Sequence, residues 1–293
     1  MYWKQQKARY KKILVAYDGS ETAKNALVVS AKLAKQDNSW IKVLAVVPPY
    51  DGDLDLIGIS NIKETIEGPG EELLAEAREI ADNEGVHVLT NLAQGEPYEH
   101  ISFVADDENC DLIVMGRQGV DHFERELMGS VTARVIGYTD RNILVVPENF
   151  SWNGKWDSIL VATDGSTNSE SAYKEALQIA QKCSARIAVI AVVKTDVNNE
   201  AVAFAQAAVM ELEMKAQNIV NDFKERAAEM DIHVETFVRQ GEPHQVITTL
   251  AAELNVTAIV MSTYGKTGIK RLLMGSVTER TIGYADCPVL VVH

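Results

Sequence analysis

Leu112-Ile113-Val114-Met115-Gly116-Arg117-Gln118-Gly119 runs from an apolar, strand-like segment straight into glycine. After nine intervening residues comes Gly129-Ser130-Val131-Thr132-Ala133-Arg134. The pattern returns 146 positions on, as Ala258-Ile259-Val260-Met261-Ser262-Thr263-Tyr264-Gly265, nine residues, then Gly275-Ser276-Val277-Thr278-Glu279-Arg280. A strand, a glycine-bearing loop and a Gly-Ser that opens a helix offer backbone N–H groups to an anion. Glycine lets the chain approach closely, and the helix N-terminus adds unpaired donors and a partial positive charge. The reading is a phosphate cradle, present twice.

Outward from that stretch the whole chain repeats. Ile13-Leu14-Val15-Ala16-Tyr17-Asp18-Gly19-Ser20 returns as Ile159-Leu160-Val161-Ala162-Thr163-Asp164-Gly165-Ser166, and Gln94-Gly95-Glu96-Pro97 as Gln240-Gly241-Glu242-Pro243. Aligned without a gap, residues 111–147 and 257–293 share 19 of 37 positions. An offset of 146 at every place marks a duplicated domain. Domain one is expected over residues 1–147 and domain two over 157–293, with the polar, turn-rich 148–156 as linker.

Within the first copy, residues 12–17 read as a buried strand and Ser20 as the cap of a helix reaching about Gln36. Strands follow at 41–47, 86–92, 111–115 and 142–146, and helices at 71–83, 97–108 and 130–138, with 50–70 read as loop. The second copy has the same order with a longer second helix, about 199–230. Strands alternating with helices predict an α/β fold: two Rossmann-like, doubly wound domains, each a five-stranded parallel sheet in the order 3-2-1-4-5 with helices on both faces.

The bulk properties narrow the function. The chain has 293 residues and a formal net charge of −14, with 15 Lys and Arg against 25 Asp and Glu in residues 1–150. Such acidity argues against a nucleic-acid partner, which asks for a basic face. No run of about 18 apolar residues is present, so no membrane partner is expected. Three cysteines without metal or CxxC spacing, and no apolar run of signal-peptide type after the basic start, fit a cytoplasmic protein.

In an open α/β sheet the ligand crevice lies where strand order reverses, here between strands one and four. Asp18 ends strand one and Gly116 ends strand four, so both loops meet there. Backbone from Gly116 to Ser130 is expected to take phosphate and the Asp18 carboxylate to face a ribose hydroxyl. Asp18-Gly19-Ser20 also makes a turn and helix cap for purely local reasons; its pairing with the glycine loop, repeated at Asp164, favours the ligand reading.

These residues resemble the universal stress proteins in their tandem form, over nearly everything from Lys11 to His293. The family pattern Gly-x2-Gly-x9-Gly-Ser/Thr is matched by Gly116, Gly119, Gly129 and Ser130, and in the second copy by Gly265, Gly275 and Ser276, with Ser262 in the first glycine's place. The resemblance implies an adenine nucleotide, ATP or AMP, with Mg2+ as an accompanying ion. It implies that Asp18 and Asp164 contact ribose and that the strand-two ends, at Val46 and Val192, contact adenine. It places phosphate at Ser130 and Val131, and at Ser276 and Val277. It also implies that the two last strands pair within the chain, with two chains able to associate as a homodimer. The implied role is a stress-response sensor or regulator rather than a fast catalyst. The alternatives are a slow ATP hydrolase using His122 or Glu124, and a scaffold with relic loops.

The copies depart from the pattern in opposite senses. The first keeps every glycine but sets Asp121, Glu124 and Glu126 beside Arg117 and Arg125; the second loses a glycine to Ser262 but carries Lys266, Lys270 and Arg271. Gly265-Lys266-Thr267 is not the end of a P-loop, because Val260 stands where that motif needs glycine.

Overall fold

The computed structural model describes residues 9–47, 59–119, 128–194, 202–263 and 274–293. The chain divides into two compact units, residues 1–154 and 155–293.

In the first unit the order is β1 (Lys12–Ala16), α1 (Glu21–Asp37), β2 (Trp40–Val47), α2 (Ile59–Asn83), β3 (Val88–Gln94), α3 (Pro97–Asp107), β4 (Leu112–Gly116), α4 (Ser130–Tyr138) and β5 (Asn142–Val146). All strand pairs are parallel, in the order β3-β2-β1-β4-β5. Ile13, Leu14 and Val15 of β1 are wholly buried, as a strand covered on both faces requires. Helices α1 and α2 pack together over one face, while α3 and α4 pack together over the other.

The second unit repeats this with β6 (Ser158–Ala162), α5 (Ser169–Cys183), β7 (Arg186–Val193), α6 (Val202–Ala228), β8 (Val234–Gln240), α7 (Pro243–Glu253), β9 (Ala258–Ser262), α8 (Ser276–Tyr284) and β10 (Val289–Val292). Its strands run in the order β8-β7-β6-β9-β10, again all parallel. The doubly wound α/β reading therefore holds in both units.

One expectation fails. The stretch 50–70 is not loop throughout, because α2 begins at Ile59 and carries Pro69 inside it. Gly68-Pro69-Gly70 looks like a helix breaker. Gly70 has a packing reason instead: a Cβ there would lie 2.3 Å from Leu92 Cδ1 and 3.0 Å from Val47 Cγ1. The glycine lets α2 settle onto the β2–β3 edge, and burial of Leu74, Ala77 and Ala81 in the turns beyond it holds the helix down.

Residues 147–154 lie along α1. The Asn25 amide donates to the carbonyls of Pro147 (2.8 Å) and Phe150 (2.9 Å), and Trp152 is buried. Gly154 adopts φ +84°, and a Cβ there would stand 3.1 Å from the Lys32 carbonyl.

Candidate functional site

The carboxyl ends of β1, β2 and β4 and the start of α4 enclose a cleft of about 350 Å3. Its shape follows from three local devices. Asp18-Gly19-Ser20 turns the chain out of β1 with Gly19 at φ +80°, a conformation that favours glycine. Asp18 Oδ1 accepts from the Ser20 amide (3.0 Å) and hydroxyl (2.6 Å), and Ser20 Oγ in turn caps α1 by accepting from the Ala23 amide (3.2 Å). The β4 loop then folds over this turn. A Cβ on Gly119 would stand 2.6 Å from Asp18 Oδ2, so a side chain there would have to displace the carboxylate.

The third device is the seating of α4. The Gly129 amide donates to the Arg117 carbonyl (2.8 Å) and the Thr132 hydroxyl to the Gly116 carbonyl (3.0 Å), which clamps the start of α4 against β4. Gly129 is the N-cap and supplies no side-chain acceptor to the first turn. The residues Ser130, Val131 and Thr132 therefore open a helix at the wall of the cleft, and the first-turn donors of a helix are groups that can take an anion. In the second unit Gly275 donates to the Thr263 carbonyl (2.9 Å), and Thr278 to the Ser262 carbonyl (2.9 Å).

The cleft brings together Asp18, Val46, Gly116, Gly119, Gly129, Ser130 and Val131. The second cleft, about 220 Å3, brings together Asp164, Val192, Ser262, Gly275, Ser276 and Val277. Gly265 lies outside the described residues, as do His122, Glu124 and the charged loop residues Asp121, Arg125, Glu126, Lys266, Lys270 and Arg271. Sequence reasoning missed the apolar wall that α3 contributes through Pro97 and Ile101, and α7 through Pro243 and Ile247. The repeated Gln-Gly-Glu-Pro was the available signal. It also missed Tyr17, Gln118 and Thr132, of which Thr132 recurs as Thr278.

The structure gives Gly116 a reason the loop reading did not supply. A Cβ there would lie 2.3 Å from Thr22 Oγ1 and 2.8 Å from the Thr22 carbonyl carbon. Thr22 donates to the Gln118 carbonyl, which Ser20 Oγ also reaches at 3.4 Å. The first glycine thus admits the first turn of α1 against the end of β4. In the second unit, where Ser262 stands, the helix begins two residues later by the repeat, at Ser169 against Glu21. Residues 166–168 turn instead, with Ser169 donating its amide (3.1 Å) and hydroxyl (2.7 Å) to the Ser166 carbonyl.

Tyr17, which lines the first cleft, is held from behind by Glu76 and Lys24. The buried Tyr17 hydroxyl donates to Glu76 Oε2 (2.6 Å), and Lys24 lies 2.9 Å from Glu76 Oε1. Burial and the neighbouring carboxylate hold the Tyr17 phenol in its protonated form well above its ordinary range. The Tyr17 hydrogen bond and then Lys24 pull the Glu76 carboxyl below its ordinary 4.5. Among the described residues no three His, Cys, Asp or Glu side chains converge as a metal site, and no helix is long and apolar enough to cross a membrane.

Each cleft therefore offers first-turn amides for an anion, a carboxylate for a hydroxyl, and an apolar slot between strand two and α3 or α7. Comparison with known proteins agrees with the fold that builds them. The chain is 36% identical over 144 residues to a universal stress protein of Methanocaldococcus jannaschii, covering 47% of this chain and 82% of that protein. It is 32% identical over 147 residues to one of Bacillus subtilis, covering 47% of this chain and 99% of the relative. The crystal structure of a universal stress protein from Archaeoglobus fulgidus matches the fold over 96% of this chain and 95% of its own, with a TM-score of 0.70 at 24% identity. The universal stress protein family model matches residues 9–147 and again 155–293, so the chain belongs to that family, with two copies of its domain in tandem.

Proposed function

We propose that both clefts bind adenine nucleotides, ATP or AMP, and that occupancy makes the protein a sensor or regulator in a cytoplasmic stress response. One observation carries this reading: the same three elements converge in both units, at Asp18, Val46 and Ser130 and again at Asp164, Val192 and Ser276. The adenine ring enters the apolar slot against the strand-two end, the ribose meets the aspartate, and phosphate takes the first-turn amides of α4 or α8. Mg2+, where present, is carried by the nucleotide's own phosphates. The reading also keeps the pairing of the two last strands within the chain and a homodimer. Slow hydrogen exchange along both edges of β5 and β10, and sedimentation at micromolar concentration, test these in turn.

The direct experiment is to denature freshly purified protein, separate the supernatant and quantify adenine nucleotide per chain. About two per chain supports two working clefts, and about one supports specialisation of the pair. None, together with no binding of added ATP or AMP, ends the nucleotide reading and leaves a scaffold.

A further inference from the structure

Strand β3 ends the sheet of the first unit, so its outer edge has no strand partner among the described residues. All of Val88–Gln94 pairs in unbroken register with residues 41–47 of β2, without a bulge. Edge strands are ordinarily blunted by charge, proline, a bulge or shortness, because an open row of N–H and C=O groups invites another strand. The seven residues of β3, Val-Leu-Thr-Asn-Leu-Ala-Gln, include no charge and no proline. Its counterpart β8 carries Glu235 and Arg239, and Arg239 is held by Glu253 of α7 at 2.7 Å.

The exposed side chains of the two edges differ in the same sense. Arg78 of α2 donates to the Thr90 hydroxyl (2.6 Å), and Leu92 lies against Gly70 of α2. Side chains alternate along a strand, so Leu89, Asn91 and Ala93 point to the opposite face, the side of the sheet on which α3 packs. On that side Leu89 is 59% exposed and Phe103 of α3 is 65% exposed. The second unit has Glu235 and Thr249 at those two positions. The repeat thus keeps one edge charged and leaves the other uncharged, apolar and open.

We infer that the outer edge of β3 is where a second copy of this chain docks, the two β3 strands running antiparallel across a twofold axis. Full overlap of the seven residues centres the pair on Asn91. Asn91 then faces its own twin, and a carboxamide carries both donor and acceptor, so the two satisfy each other. Leu89 faces Ala93 of the second copy, large against small, and no charge on the strand meets its own sign. The chains each carry a net charge of −14 and repel at long range, so the pair tightens as salt rises.

This gives a surface to the homodimer proposed above and rests on that reading; the experiment separates the two. Sedimentation of the full chain at micromolar concentration gives a dimer. Asn91→Lys sets like charges opposite each other and raises the dissociation constant by about tenfold or more, and Asn91→Glu does the same. An equimolar mixture of these two variants restores the dimer, which a folding defect would not allow. Leu89→Lys, at an exposed position, weakens the dimer and leaves the urea midpoint unchanged, whereas Glu235→Lys, its counterpart on β8, leaves the dimer intact. The inference is overturned if Asn91→Lys or Leu89→Lys dimerises as the parent does, if the mixture of folded Asn91 variants stays monomeric, or if Glu235→Lys dissociates the dimer. A parent chain that sediments as a monomer throughout defeats the homodimer and this inference together.

Discussion

Tyr17 is both a wall of the first cleft and a partner of α2, so its phenol has a stability role that binding alone does not reveal. Tyr17→Phe removes a hydrogen bond to a carboxylate and is expected to cost about 1.5 kcal/mol, read as a lowered urea midpoint. The sign of the pH effect follows from Glu76, whose carboxyl is depressed in the folded chain chiefly by that phenol. Its stabilisation is complete above the ordinary carboxylate range and is lost as pH falls through the lowered value. The urea midpoint should therefore fall between pH 5 and pH 3, less steeply in Tyr17→Phe than in the parent. Gly129 invites a second test. Its φ of −59° suits any residue, but a Cβ would press on Gln118 Cα at 3.3 Å and the Arg117 carbonyl at 3.4 Å. Gly129→Val should cost about 1–3 kcal/mol by overpacking and lose nucleotide from the first unit, with calorimetric stoichiometry falling by about one per chain. Asp18, Gly119 and Ser130, which the fold brings to one cleft, were legible as candidates because their types and spacing carry the chemistry locally. Tyr17 and Gln118 were not, since their roles depend on Glu76 and Thr22, 59 and 96 positions away.

Among the elements, α1 and α5 start at different points of the repeat. With Gly116 the helix starts at Glu21; with Ser262 the equivalent helix starts two residues later in the repeat. Gly116→Ser should force the first turn of α1 off the sheet, because the obstruction includes the Thr22 backbone. The expected loss is about 3 kcal/mol, at the upper end for overpacking, with faster hydrogen exchange at the Ala23 and Lys24 amides as the local readout. The sequence showed that Ser262 departs from the pattern, but not that the first helix of its unit starts later than its counterpart. The opposite error occurred at α2. Gly68-Pro69-Gly70 satisfies every local criterion for a loop, and burial of the residues around Leu74 and Ala77 overrides it. By contrast α4 and β5 begin and end where the pattern of apolar and capping residues puts them. In them the local signals and the packing agree.

At the scale of the molecule, two similar clefts in one chain make binding visible as stability. A ligand at one hundred times its dissociation constant stabilises the fold that holds it by about 2.7 kcal/mol. For units of this size that raises the melting temperature by about 5–10 °C. AMP should shift the parent in scanning calorimetry, and Gly129→Val should confine the shift to the part of the transition that belongs to the second unit. The duplication itself, and hence two domains, was the most legible feature of the sequence, because a constant offset survives where individual residues diverge. What the sequence left hidden is how residues 147–154 are fastened to the first unit. Helix α1 is fastened at its first turn to the Gln118 carbonyl through Thr22, and one turn later to the Pro147 and Phe150 carbonyls through Asn25. A rigid rod gripped at two points transmits displacement from one grip to the other. The loop at Gln118 and the 147–150 stretch, still within the first unit, thus share one lever arm.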